Sequence, residues 1–285
     1  MKSVANHTRE NKLFYERLHN LEQKGEKYSE KGIQYDPHDL PKNSLLRFCL
    51  FARMKCPLIS VYYTDISLPS EFVPISMFKD AIIRAKKMPN KIIFIMTSLE
   101  NADYSIRHAN LLVYNKITKR IEVFDPLGCE YMDRYKTHKI LQDTIIYDII
   151  QNTNMKYYPE NIYKGVQQYD RMIDIKREGN GFCVIWSCLV AKLCVEFPYK
   201  TLRQIVNEIT ESQQHCSANI CRGFLDEMRD GAVEMMQKID KKFSKQYFEF
   251  RNVPISGKAK SNYELSKALT MEYLASTSDS HLKMT

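Results

Sequence analysis

The sequence predicts an α+β protein in which an apolar helix lies on a mostly antiparallel sheet, with additional helices at both ends. Three observations predict it. Ile92-Ile93-Phe94-Ile95-Met96 is a continuous apolar run, the pattern of a strand buried on both faces. Residues 107–114 and 120–124 are β-rich and flank the polar stretch Asn115-Lys116-Ile117-Thr118-Lys119, which reads as a hairpin. Residues 183–195 form an apolar segment without Gly or Pro, roughly four turns long, which suits a buried helix.

In chain order, residues 1–44 read as an N-terminal extension. Leu13, Phe14, Leu18 and Leu21 recur at helical spacing within 11–24, and Pro37 and Pro41 then interrupt regular structure. Residues 45–252 read as the main domain. Its first part holds a helix over 45–54, a β-rich run over 58–63, and a surface helix over 71–87 with Phe72, Ile75, Phe78, Ile82, Ile83 and Ala85. Asp125-Pro126-Leu127-Gly128 closes the hairpin with turn chemistry. Residues 135–152 space Ile140, Leu141, Ile145, Ile146, Ile149 and Ile150 as in an amphipathic helix, whereas 156–177 is polar and irregular. Residues 201–211 and 218–241 read as helices, the second broken near Gly231. Residues 253–285 form a Ser/Lys-rich tail, its last residues, about 15, expected to be disordered.

Bulk composition narrows the function classes. The 285 residues are 44% hydrophobic and 27% charged, enough apolar material for a sizeable core. The net charge of +8 is spread along the chain, with short clusters at Lys86-Lys87 and Lys241-Lys242. Such a surface admits nucleic acid or an acidic partner only weakly; a solvated face is the commoner reading. Lys192 interrupts the best apolar run, so no membrane span is expected, and the polar start of the chain shows no signal-peptide core. The eight cysteines therefore read as reduced thiols in an intracellular protein. None forms a CxxC pair. His215-Cys216 with Cys221 is the nearest approach to a metal cluster, and it lacks a second pair at zinc spacing. No metal or cofactor is expected.

The chemistry-bearing residues converge from separate segments. Gly179-Asn180-Gly181-Phe182 is a glycine-rich turn that runs into Cys183 at the start of the apolar helix. A cysteine there meets the positive end of the helix dipole and unpaired backbone N–H groups, both of which favour the nucleophilic thiolate. A thiol hydrolase also needs a base, and a group that orients the base. His108 opens one hairpin strand and Asp125 closes the other, 17 residues on, so the two lie side by side on strands about 4.8 Å apart. His7, His19, His38 and His281 lie in polar flanks, His138 on a surface helix, and His215 is a weaker rival. Taken singly, each piece has a structural reading: a small core thiol, a strand histidine, a common turn. Their conjunction points to chemistry. Trp186, Cys188 and Cys194 read as core.

With these residues in place, the sequence resembles a known family: the ubiquitin-like-protein (SUMO) proteases and the adenovirus protease, a clan of cysteine proteases. The wording is closest to the predicted thiol proteases of giant nucleocytoplasmic DNA viruses. The resemblance is carried by His108-Ala109-Asn110, Phe124-Asp125-Pro126-Leu127-Gly128, Gly165-Val166-Gln167-Gln168-Tyr169-Asp170 and Gly181-Phe182-Cys183-Val184-Ile185-Trp186-Ser187, spanning about residues 90–200. It implies a papain-like cysteine protease fold and a thiol protease acting on peptide or isopeptide bonds. The implied roles are Cys183 as nucleophile, His108 as general base and acid, Asp125 as the group orienting the histidine, and Gln167 as an oxyanion donor, with Gln168 as its neighbouring alternative. Implied partners are protein substrates, either viral precursors or ubiquitin-like conjugates, with no membrane and no cofactor. The implied location is a reducing one, a virion or host cytoplasm. The chain departs from cellular members in three places: Ala109 where they have tryptophan, Val184 where they have glycine, and 16 residues between Gln167 and Cys183 where they have a few. Two other readings remain open on the same residues: a catalytically inactive binding or virion protein, and an acyltransferase using the same cysteine.

Overall fold

The structure is a computed structural model and describes residues 2–30, 40–64, 75–100, 107–128, 136–151, 153–158, 165–166, 182–211 and 217–239. The elements are α1 (Lys2–Glu30), α2 (Leu40–Met54), β1 (Leu58–Thr64), α3 (Ile75–Lys87), β2 (Ile92–Glu100), β3 (Arg107–Asn115), β4 (Arg120–Phe124), α4 (Lys136–Ile150), β5 (Lys156–Tyr158), α5 (Cys183–Glu196), α6 (Leu202–Glu211) and α7 (Ser217–Ile239). The chain divides into two compact units. The first holds α1, the sheet, α3 to α6 and α7 as far as Phe224; the second holds α2 and α7 from Leu225 onward.

The first unit is built on one five-stranded sheet of order β1-β2-β3-β4-β5. The α+β class expected from the sequence is the one observed. Its centre is an antiparallel meander, β2-β3-β4, while the edge strands β1 and β5 join in parallel. Side-chain alternation divides the sheet into two faces. Ile93, Ile95, Leu112, Tyr114, Ile121 and Val123 pack with Phe78, Ala81 and Ile82 of α3 and Ile145, Ile146 and Ile150 of α4. Phe94, Met96, Leu111, Val113 and Phe124 alternate with them and are also buried. Helix α5 packs on β3 and β2, and α6 on β4. Burial on both faces explains why β2 is continuously apolar.

Several boundaries differ from the sequence reading, each for a physical reason. Residues 156–158, expected to be irregular, form β5. Three residues are too few to show a period; the strand exists because Lys156 N–H donates to the Lys119 carbonyl at 2.9 Å and the Arg120 guanidinium lies 4.1 Å from the Tyr158 ring centroid. Helix α1 extends well beyond 11–24, and Phe14, Leu18 and Leu21 are buried along it. Phe14 packs edge-on against Phe197, and Arg17 pairs with Glu196 at 3.2 Å. Helix α7 starts close against α1: a Cβ on Gly25 or Gly223 would meet the other helix's carbonyl oxygen below 2 Å. Gly179-Asn180-Gly181, the last residues of the C-terminal tail, His215 and Cys216 lie outside the described residues.

In the second unit α7 runs unbroken through Gly231, against expectation. A glycine costs only about 1 kcal/mol in a helix interior. Its hydrogen makes room for Arg53, whose Nη1 would lie 1.5 Å from a Cβ at that position and whose Nη2 donates to Glu234 at 3.2 Å. No described helix is long and apolar enough to cross a membrane.

Candidate active site

The hairpin places the imidazole and the carboxylate. The β3–β4 ladder ends at the pair Leu111↔Phe124. One step further along the same register sets Asp125 opposite Asn110, so His108 is its diagonal neighbour on the same face. Diagonal neighbours are within reach of long side chains. His108 Nε2 and Asp125 Oδ1 lie 2.8 Å apart, and both residues are buried. The sequence reading expected direct opposition. The ladder is offset from it because the turn is centred one residue later than the midpoint between 108 and 125.

The turn holds the carboxylate from below. Asp125 Oδ1 also accepts the Leu127 N–H at 2.8 Å, and the Asp125 carbonyl accepts the Gly128 N–H at 3.0 Å. Gly128 has φ 71°, in the left-handed region that glycine enters without strain. One oxygen atom therefore serves both the histidine and the turn's own backbone. Asp-Pro-Leu-Gly is a common turn sequence, and its aspartate is a habitual acceptor of the N–H two residues on.

Helix α5 brings the thiol. Its first intrahelical bond runs from Trp186 N–H to the Phe182 carbonyl at 2.8 Å, so the N–H groups of Cys183, Val184 and Ile185 have no acceptor within the helix. Cys183 is the first helical residue. Ile185, Trp186, Cys188, Leu189, Val190 and Leu193 are all buried, so the helix is apolar nearly all round and Trp186, Cys188 and Cys194 are core as expected. The Cys183 side chain hydrogen-bonds to His108. With Nε2 engaged by Asp125, the remaining ring nitrogen is Nδ1.

The electrostatics follow from burial and these two neighbours. Burial alone lowers the pKa of His108, because the imidazolium loses its water. The charge and hydrogen bond of Asp125 raise it, and the hydrogen bond and charge of Cys183 add to the rise. Together the neighbours win, and the pKa is pushed up to about 10. Other thiols answer to burial. Cys49 is pushed up to about 12 by burial, with Arg53 pulling back; Cys194 is raised by burial and then by Glu122; Cys56 is raised by burial. Those three are held as neutral thiols.

Of the residues singled out in the sequence, the structure brings Cys183, His108 and Asp125 together. Gln167 and Gln168 lie outside the described residues, but Gly165 and Val166, just before them, are described and buried. Among the described residues no group of three or more His, Cys, Asp or Glu side chains gathers as a metal site would. Two features escaped the sequence reading. The first is the Leu127 N–H, which the turn chemistry of Asp125 already signalled. The second is Ser187, one turn beyond Cys183, whose hydroxyl is buried and meets no hydrogen-bond partner among the described residues.

No protein-family model matches the chain, and no curated protein matches it. Among solved structures the chain is similar to ChlaDub1 of Chlamydia trachomatis, at 13% identity and a TM-score of 0.39, over 67% of this chain and 91% of that one. A second structure, of the Chlamydia trachomatis effector protein ChlaDUB1, matches at 13% identity and a TM-score of 0.32, over 72% of this chain and 91% of that one. The effector protein RavZ of Legionella pneumophila matches at 13% identity and a TM-score of 0.28, over 74% of this chain and 65% of that one.

Proposed function

We propose that the chain is a cysteine peptidase that hydrolyses peptide or isopeptide bonds, with Cys183, His108 and Asp125 as its triad. The observation that carries this reading is the division of one imidazole between a carboxylate and a thiol: Asp125 holds Nε2, and the Cys183 side chain hydrogen-bonds to the same ring. An imidazolium flanked by two groups that can carry negative charge is the resting arrangement of a thiolate nucleophile.

The steps follow from that arrangement. The Cys183 sulfur attacks the scissile carbonyl carbon, and the C=O electron pair moves to oxygen. As the tetrahedral adduct collapses, the imidazolium gives its proton to the leaving amine and the C–N bond breaks. Neutral His108 then takes a proton from water, whose hydroxide attacks the thioester and releases the acid and the Cys183 thiolate, which restores the starting thiolate–imidazolium pair. Asp125 stabilises the imidazolium and fixes the ring. The Cys183 N–H, at the first turn of α5, is one donor for the developing oxyanion. Gln167 is the second. It follows Gly165 by two residues, about 7 Å of chain at most, and Gly165 lies against the Leu127–Gly128 backbone. A donor of this kind is worth about 3–4 kcal/mol to the transition state.

The substrate is a protein, a viral precursor or a ubiquitin-like conjugate, as the motif resemblance implies. The test uses two reagents: iodoacetamide, and a ubiquitin-like protein ending in a C-terminal electrophile. Mass spectrometry of the wild-type chain should place the adduct on Cys183, and the Cys183→Ala protein should lose it while keeping its fold. A folded chain that forms no adduct at Cys183 with either reagent is a binding protein, and the proposal fails. A chain that is alkylated by iodoacetamide but instead binds and turns over acetyl-coenzyme A is an acyltransferase.

A further inference from the structure

The carboxylate of Asp125 is held by a turn, and the turn is itself pressed by a second segment. A Cβ built on Gly165 would lie 2.0 Å from the Leu127 carbonyl carbon, 2.2 Å from its oxygen and 2.4 Å from the Gly128 nitrogen. These are backbone atoms of the peptide unit whose neighbouring N–H groups bond to Asp125: Leu127 N–H to its carboxylate and Gly128 N–H to its carbonyl. Gly165 is not in the left-handed region, so the glycine answers a demand for space and not for torsion. The next residue, Val166, is buried and anchors the segment.

We propose that Gly165 is a positioning residue for His108, acting through the Asp125 turn. The inference rests on the triad reading of the site and adds a residue to it. With hydrogen as its side chain, Gly165 lets the 165–166 backbone lie directly on the Leu127–Gly128 peptide and closes off the direction in which the turn would relax. A methyl at 165 has no flexible neighbour to displace, because the atoms it meets are main chain. The turn would have to retreat by about 1.4 Å or more before the 2.0 Å approach became an ordinary van der Waals contact. That movement is shared by the Leu127 N–H and the Asp125 carboxylate, and it lengthens the 2.8 Å contact with His108. A charge-assisted hydrogen bond of this length weakens steeply when stretched.

The test reads His108 directly and needs no substrate. In the wild-type protein, proton and nitrogen NMR should show a downfield Nε2–H signal and a ring that stays protonated to about pH 10. In Gly165→Ala the downfield signal should be lost or broadened and the titration midpoint should fall by about one pH unit or more, a tenfold change in proton affinity per unit. Val166→Ala, which keeps the glycine and removes the anchor, should shift both signals the same way by less. Gly223→Ala supplies the contrast: it strains the α1–α7 crossing and should lower the unfolding midpoint without moving His108. A folded Gly165→Ala with the wild-type His108 signal and midpoint overturns the proposal. If Gly165→Ala does not fold, an unmoved His108 in folded Val166→Ala overturns it. Failure of the peptidase reading shows separately, as absence of a Cys183 adduct in the wild-type chain.

Discussion

Two ion pairs in the same compact unit, each with a buried cation, have the same separation and opposite characters. Lys200 Nζ donates to Glu208 Oε1 at 2.8 Å and to Asn11 Oδ1 at 2.6 Å, and sits 5.4 Å from the centroid of the Phe14 ring. His108 Nε2 meets Asp125 Oδ1 at 2.8 Å. Both cations are buried: the Lys200 side chain is 4% exposed and the His108 side chain 3%. The lysine's protons are spent on two fixed acceptors and its charge faces one ring, contacts that tie α1 to α6. The histidine spends one nitrogen on a fixed partner and turns the other toward a thiol. A buried ion pair thus marks a site for chemistry only where one member can exchange a proton and one of its contacts is a nucleophile.

Four perturbations sharpen or break this contrast, and they fall in a clear order of size. Cys183→Ala removes the nucleophile and should cut hydrolysis by about 10^6-fold with little change in unfolding midpoint, the loss found when a nucleophile is deleted from a triad. Residual rates well above that level would show that the contrast is misdrawn. Next comes Asp125→Asn, which keeps the shape and removes the charge. Turnover should fall by about 10^4-fold, and NMR should show the His108 midpoint below its wild-type position of about 10. On the structural side, Lys200→Met leaves the half-buried Glu208 carboxylate without its cation. The cost should be about 1–3 kcal/mol in urea unfolding, while adduct formation per folded molecule at Cys183 stays at the wild-type level. An equal loss of reactivity would mean that the two pairs are not separable.

The smallest effect is on the pH dependence of stability. His108 is raised above its ordinary value of 6.5 to about 10, so its contribution is complete below about 6.5 and is lost as pH rises through about 10. Unfolding free energies of wild type and His108→Gln, measured over that range, should therefore differ most at the acid end and converge at the alkaline end. Divergence toward alkaline pH would reverse the sign and remove the imidazolium from the argument.

Much of this was legible in the chain because it is written in short-range patterns. The apolar run Ile92-Ile93-Phe94-Ile95-Met96, the polar break at 115–119 and the uninterrupted stretch from Cys183 each report burial through local periodicity. The pairing of His108 with Asp125 was readable because a hairpin converts sequence separation into distance. What could not be read were features with few residues or with partners far along the chain. Strand β5 has three residues. Helix α6 combines a local cap with a remote one. Thr201 and Gln204 exchange hydrogen bonds, Thr201 N–H to Gln204 Oε1 at 2.8 Å and Gln204 N–H to Thr201 Oγ1 at 3.1 Å, a pattern visible as Thr-x-x-Gln. Glu122, 80 residues away, accepts the Leu202 N–H at 3.2 Å, and no local pattern announces that. Gly231 belongs with them: a helix-breaking signal by propensity is, in three dimensions, the space that Arg53 occupies.

The amino-acid sequence alone determined the residue types, the period of each element and the hairpin that brings an acid beside an imidazole, because these depend on neighbours a few positions apart. Only the tertiary structure decided which ring nitrogen faces Asp125, how the turn is clamped by Gly165 and that the thiol of α5 arrives at the same imidazole. Those outcomes depend on how the 165–166 segment, the helix and the sheet pack together, and packing is set by shape and burial across the whole unit.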